Sequence, residues 1–136
     1  MNAALLGVTN IASSMAMARA KTSPAAGYRF QGFAPHEQDY EPSADHFANM
    51  NSALNWMLVQ PADDAAGSSL VFAAWPCEWD VDFKLHAPMN TTVEAVLKDK
   101  KLVRFVVTPA SRAPYVHVVN CGGNSSTGSS TGSTTI

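Results

Sequence analysis

Between positions 36 and 46 the chain reads His36-Glu37-Gln38-Asp39-Tyr40-Glu41-Pro42-Ser43-Ala44-Asp45-His46, four carboxylates and two imidazoles within 11 residues. Carboxylates gathered this closely can act as acid, base or nucleophile at an acetal carbon, the chemistry of a glycosidase. They can also form a solvated acidic loop. Calcium is a poor match. Asp39, Glu41, Ser43 and Asp45 follow an EF-hand only loosely, with Ala44 where the loop needs Gly and Met50 where it needs a bidentate Glu. Zinc held by His36 and His46 lacks the H-E-x-x-H spacing. No metal and no cofactor is expected.

A second stretch, Trp75-Pro76-Cys77-Glu78-Trp79, sets two indoles around a proline. They can stack on sugar rings, or they can be core residues at a sheet edge, since large aromatics dominate cores. Cys77 and Cys121 are the only cysteines. Separate thiols are the default expectation, because spacing does not reveal whether two cysteines meet the geometry of a disulfide. Asn90-Thr91-Thr92 and Asn124-Ser125-Ser126 are glycosylation acceptors only in a secreted eukaryotic setting.

These groups need elements to position them. Asn2–Ala20 reads as a helix with Leu5, Val8, Ala12 and Met15 on one stripe. A secretory signal is the competing reading, but no Lys or Arg precedes Arg19 to supply its basic start. Residues 21–44 carry three prolines and no periodicity, which makes a long loop. A second helix is expected next. Ser43 can cap it, Asp45 falls in its first turn, Phe47, Met50, Leu54 and Met57 share a stripe, and Pro61 ends it. From Ser68 the period changes to two. Strands are expected at 70–75, 80–86, 91–97, 101–107 and 115–120, with a hairpin turn at Lys98-Asp99-Lys100. The expected class is α+β, with an antiparallel sheet or half-sandwich of about five strands. Residues 122–136 are almost entirely Gly, Ser and Thr and read as a flexible tail.

Composition narrows the function classes. The 136 residues carry a net charge of −2, which argues against a nucleic-acid binder, and no apolar run is long enough for a membrane span. The charge is strongly segregated. Residues 1–29 hold three bases and no acid, while residues 30–83 hold nine acids, no Lys or Arg, and all three tryptophans.

Taken together, residues 28–60 and 70–112 resemble the C-terminal end of glycoside hydrolases of the inverting alpha-L-fucosidase type and their uncharacterised bacterial relatives. The resemblance covers roughly residues 3–119. It is most specific at Trp75–Pro88 and at Val107-Thr108-Pro109 with Ser111-Arg112. It implies that residues 1–62 are the last helices and active-site loop of an (α/α) toroid. Residues 63–121 would then be its C-terminal β-domain. It also implies that Asp45 matches the water-activating Asp of an I-D-G-N-F-G-like motif. The context here is Ala44-Asp45-His46-Phe47, without the Gly-Asn pair, as in a diverged relative. Cys77 stands where a basic residue is expected. His36, Asp39, Glu41, His46, Trp75 and Trp79 are the expected substrate-binding residues. The implied partners are a saccharide substrate and the upstream toroid carrying the general acid, and the parent enzyme would be secreted or periplasmic. An independent carbohydrate-binding or interaction module is the alternative.

Overall fold

The computed structural model of the chain describes residues 2–20 and 44–121. The expectations for the long loop and the Gly/Ser/Thr tail, and for His36, Asp39 and Glu41, lie outside the described residues.

The first helix is not continuous. It divides into α1, Asn2–Leu5, and α2, Thr9–Ala20, around Gly7. Gly7 has φ +67°, the left-handed geometry that only glycine adopts without a Cβ penalty. Its amide donates to Ala4 O, and the Val8 amide to Ala3 O, closing the end of α1. The break resets the helical phase. Ala4 and Ala12 are buried, whereas Leu5 and Met15, expected on the buried stripe, are 47% and 61% exposed.

Helix α3 spans Ala44–Leu58 and runs without a loop into β1, Val59–Pro61. Its apolar stripe holds where its side chains are described. Met57 is buried, Leu54 packs against the core, and Met50 is half-buried. Pro61 lies three residues beyond the helix end, where it has no helical amide to withhold. The free carbonyls at the end of α3 find partners in the next apolar stretch. The Phe72 amide donates to Leu58 O at 2.6 Å and the Ala74 amide to Met57 O at 3.1 Å.

That capping explains why the run from Leu70 to Trp75 is not a strand throughout. Only Ser69–Val71 pair, as β2. Phe72 then turns at φ +58° and buries its ring edge-to-face against Phe83, with centroids 5.7 Å apart. The remaining strands are β3 (Val81–Ala87), β4 (Thr91–Lys98), β5 (Lys101–Thr108) and β6 (Val116–Val118). The fold is α+β, but among the described residues it holds two sheets of three strands rather than one of five. One has the order β1-β2-β6, with β1 antiparallel and β6 parallel to β2. The other is the antiparallel meander β3-β4-β5. The unexpected strand is β1, too short for its period to register in sequence.

The β4–β5 hairpin closes through Asp99 and Lys100, at φ +48° and +64°. A two-residue hairpin loop with both φ positive usually takes glycine. Here the Asp80 carboxylate accepts the Asp99 amide at 2.9 Å and helps hold the turn. Along β4, Thr91, Val93, Ala95 and Leu97 are buried, alternating with half-buried Thr92, Glu94 and Val96.

Helices and sheets share one core. Ala4, Ala12 and Met57 lie in the same cluster as Val71, Phe72, Phe83, Val93 and Leu97. The buried Gln60 amide donates both to Ala4 O and to Trp56 O, fastening α1 to the α3–β1 junction. Arg112, in the 3-10 helix Ala110–Tyr115, donates to the carbonyls of Ala66 and Gly67 and to Thr91 Oγ1. Its guanidinium also sits 4.5 Å over the Tyr115 ring. One side chain thus ties the β1–β2 loop to the first residue of β4.

Candidate functional site

Ser52, Asn55 and Trp56 stand at helical spacings of three and four, which brings them to one face of α3, beside the stripe that enters the core. Val59 and Pro61 of β1 continue that wall. His86 and Ala87, ending β3, and Pro88 of the following turn complete the lining of a groove of about 410 Å3. This volume lies within the usual range of small-molecule sites, roughly 300–1,000 Å3.

The described lining mixes polar and apolar groups. Ser52 offers a hydroxyl, Asn55 a carboxamide, His86 an imidazole and Trp56 part of an indole. No carboxylate, lysine or arginine is among its described lining residues. His86 Nδ1 lies 3.4 Å from Thr92 Oγ1, its cross-strand neighbour, which steadies the ring. Such a surface can hydrogen-bond a neutral hydroxylated ligand and contact its C–H face.

Asp45 and His46 lie in the first turn of α3, their side chains outside the described residues. By backbone register Asp45 is seven residues before Ser52, about two helical turns. The tryptophan corner lies elsewhere. Trp75 is buried and its Nε1 donates to Trp79 O at 2.9 Å. Trp79 is half-buried, and the two rings meet edge-to-face at 86°. They therefore offer no single flat surface. The corner is also covalently closed. Cys77 and Cys121 form a disulfide, with Cα atoms 5.0 Å apart, in place of the separate thiols expected. The turn from Pro76 to Trp79 brings Cys77 to the end of β6, an approach set by tertiary packing rather than by sequence spacing.

Two carboxylates have altered acidity. Hydrogen bonding from Ser68, side chain first and then amide, holds Asp64 below the usual aspartate range. Glu94 is lowered chiefly by its hydrogen bond to Lys84, then by the charges of Lys84 and Arg104, at 2.8 and 2.7 Å. Asp64 is exposed on a loop and Glu94 half-buried on a sheet surface, and neither lines the groove. Among the described residues no group of three or more His, Cys, Asp or Glu could hold a metal ion.

Ser52, Asn55, Trp56 and His86 are not among the residues that sequence marks as carrying chemistry. A polar-aromatic stripe at helical spacing marks the first three in sequence, but His86 reaches them only through the fold. No family model, curated protein or solved structure matches the chain.

Proposed function

We propose that the chain is the C-terminal part of a glycoside hydrolase of the inverting alpha-L-fucosidase type, acting on polysaccharide or glycan side chains and inactive by itself. In this reading α1–α3 end an (α/α) toroid and the two sheets form the β-domain behind it. The observation that carries the reading is the exposure of large apolar side chains along α1, the turn after it and α2. Leu5, Leu6, Ile11, Met15 and Met17 are 47%, 77%, 50%, 61% and 39% exposed. Helices bury an apolar stripe against neighbours, and a concentration of exposed Leu, Ile and Met marks a surface meant to be covered. In a toroid the preceding helices cover it. The Cys77–Cys121 disulfide suits a secreted or periplasmic enzyme.

Inversion at an acetal carbon needs a general acid and a general base about 6.5–9.5 Å apart, with water between the base and the sugar. Asp45, at the start of α3, is assigned the base. The acid comes from the upstream helices. A stand-alone sugar-binding module built on Trp75 and Trp79 fits less well, because Trp75 is buried and the rings are perpendicular.

The test is hydrolysis of 4-nitrophenyl alpha-L-fucopyranoside by this chain and by the same chain extended upstream through the toroid. Turnover is expected only from the longer polypeptide. Asp45→Asn should reduce it by about 10^2–10^4-fold, and Asp63→Asn should leave it unchanged. An extended polypeptide without glycosidase activity, or equal effects of the two substitutions, refutes the assignment.

A further inference from the structure

We propose that the Cys77–Cys121 disulfide is a redox-operated latch. Closed, it holds residues 116–121 against β2 and against the turn that caps α3. Opened by a dithiol, it lets that segment leave while the rest of the chain stays folded.

The segment is a discrete unit with a firm boundary on each side. On its N-terminal side Arg112 donates to Ala66 O, Gly67 O and Thr91 Oγ1 and lies over the Tyr115 ring, which anchors the chain as far as Tyr115. On its C-terminal side the hold is the bond from Cys121 to Cys77. Between the two, β6 lies at the edge of the β1-β2-β6 sheet. The Val119 amide donates to Val71 O, and Asn120 Nδ2 to Phe72 O and Ala73 O. Val116 is buried, but His117, Val119 and Asn120 are exposed. A segment with so little buried side chain belongs to the low-stability end of a fold, where local opening precedes global unfolding. Cys121 also stands at φ +60°, a left-handed conformation that a residue with a Cβ leaves once it is released.

What the latch holds reaches beyond its own strand. Asn120 grips the carbonyls of Phe72 and Ala73, while the amides of Phe72 and Ala74 cap α3 at Leu58 O and Met57 O. Phe72 makes both connections at φ +58°, so its backbone depends on the partners that hold it there. The state of the disulfide is therefore passed through Asn120 to the last turn of α3, which carries Trp56 and one wall of the groove.

Cys77 and Cys121 are both half-buried rather than enclosed, which leaves the bond open to a thiolate. One thiolate of the dithiol attacks a sulfur of the pair, and the S–S bond breaks as a mixed disulfide forms. The second thiol of the reductant then displaces the protein sulfur. Two electrons and two protons end on Cys77 and Cys121, and the dithiol leaves as a disulfide.

The experiment records amide and indole NMR spectra of the 136-residue chain before and after dithiothreitol, without denaturant. In the reduced chain residues 116–121 should move to random-coil positions, and the Val119 amide should exchange at least about 100-fold faster. The Leu58 and Phe72 amides and the Trp56 indole should shift, while Val93, Ala95 and Phe105 of β4 and β5 keep their native positions. Cys77→Ser/Cys121→Ser should reproduce the reduced spectrum, and reoxidation should restore the original one. Native positions for 116–121 after reduction overturn the proposal, because the bond is then a staple and not a latch. Collapse of the whole spectrum also overturns it, because the release is then not local. Unmoved Leu58, Phe72 and Trp56 resonances do so too, because nothing is then passed to α3.

Discussion

Opening the Cys77–Cys121 crosslink should cost this fold much of its stability. The bond joins residues 44 positions apart, and the loop it closes contains the whole β3-β4-β5 sheet, the 3-10 helix and β6. Closing a loop of that length removes about 13 cal/mol/K from the unfolded chain, or about 4 kcal/mol at 25 °C. Small domains have only about 5–15 kcal/mol in total. What remains to hold β6 is slight. Its three residues pair with β2, the Val119 amide donates to Val71 O, and Asn120 Nδ2 donates to the carbonyls of Phe72 and Ala73. The assay is urea unfolding followed by tryptophan fluorescence, since Trp75 and Trp79 flank the bond in sequence and report its surroundings directly. The oxidised chain, the chain reduced by a phosphine and the Cys77→Ser/Cys121→Ser variant are compared. With a urea slope of about 1–2 kcal/mol per molar, the midpoint should fall by about 2–4 M. The reduced chain and the double variant should coincide. A shift below about 0.5 M refutes the reasoning, because a closed loop of this length cannot constrain the unfolded chain so weakly.

Arg112→Lys keeps the charge but loses the planar fork that reaches Ala66, Gly67 and Thr91 together, and thermal unfolding should register a loss of about 1.5–3 kcal/mol. Glu94 has a lowered pKa in the folded state, so the stability it contributes is present above its ordinary value of 4.5 and is lost as pH falls through the lowered folded value. Chemical denaturation of the chain and of Glu94→Gln should therefore differ at pH 7 and converge under acid, and a gap that widens toward low pH contradicts the assignment. Leu6→Ser, Ile11→Ser and Met15→Ser act on residues already half or more exposed, so in this chain each should change stability by no more than about 0.5 kcal/mol. In the extended polypeptide the same changes should cost about 1.5–3 kcal/mol each, and equal effects in both settings show that nothing covers that face.

The parts of the fold that sequence made legible are those whose periodicity survives folding. β3, β4 and β5 lie where alternation placed them, to within a residue or so, most clearly in β4, whose buried residues alternate with half-buried ones. The hairpin at Asp99-Lys100 was legible from its flanking strands although it lacks glycine. The core stripe of α3 was legible for the same reason as the strands. What escaped depends on contacts between distant segments. Asn2–Ala20 reads as one helix straight through Gly7, which the fold sets at a left-handed φ against Ala73 O, and the Leu70–Trp75 run reads as a strand until α3 needs its amides. The split into two sheets follows from that second case. Once Phe72 turns to cap the helix, the chain cannot continue one ladder into β3.

The site divides along the same line. Carboxylates crowd residues 37–45, and a carboxylate cluster is visible in one dimension because its members are neighbours in sequence. The groove is not visible that way. Ser52, Asn55 and Trp56 could be read as the solvated side of an amphipathic helix, which is what a polar stripe opposite an apolar one ordinarily is. Only β1 running straight out of α3, and β3 ending beside it, turn that side into a concave wall with His86 across from it. The tryptophans moved the other way. Trp75 and Trp79 have the composition of a sugar platform, but Pro76 and the disulfide fold them against each other and give Trp75 to the core. Trp56, in the last turn of α3 and without an aromatic neighbour in sequence, is the indole left facing a groove. Aromatic binding surfaces are therefore decided by what the backbone does on either side of the ring. Here that is a helix continuing directly into a strand.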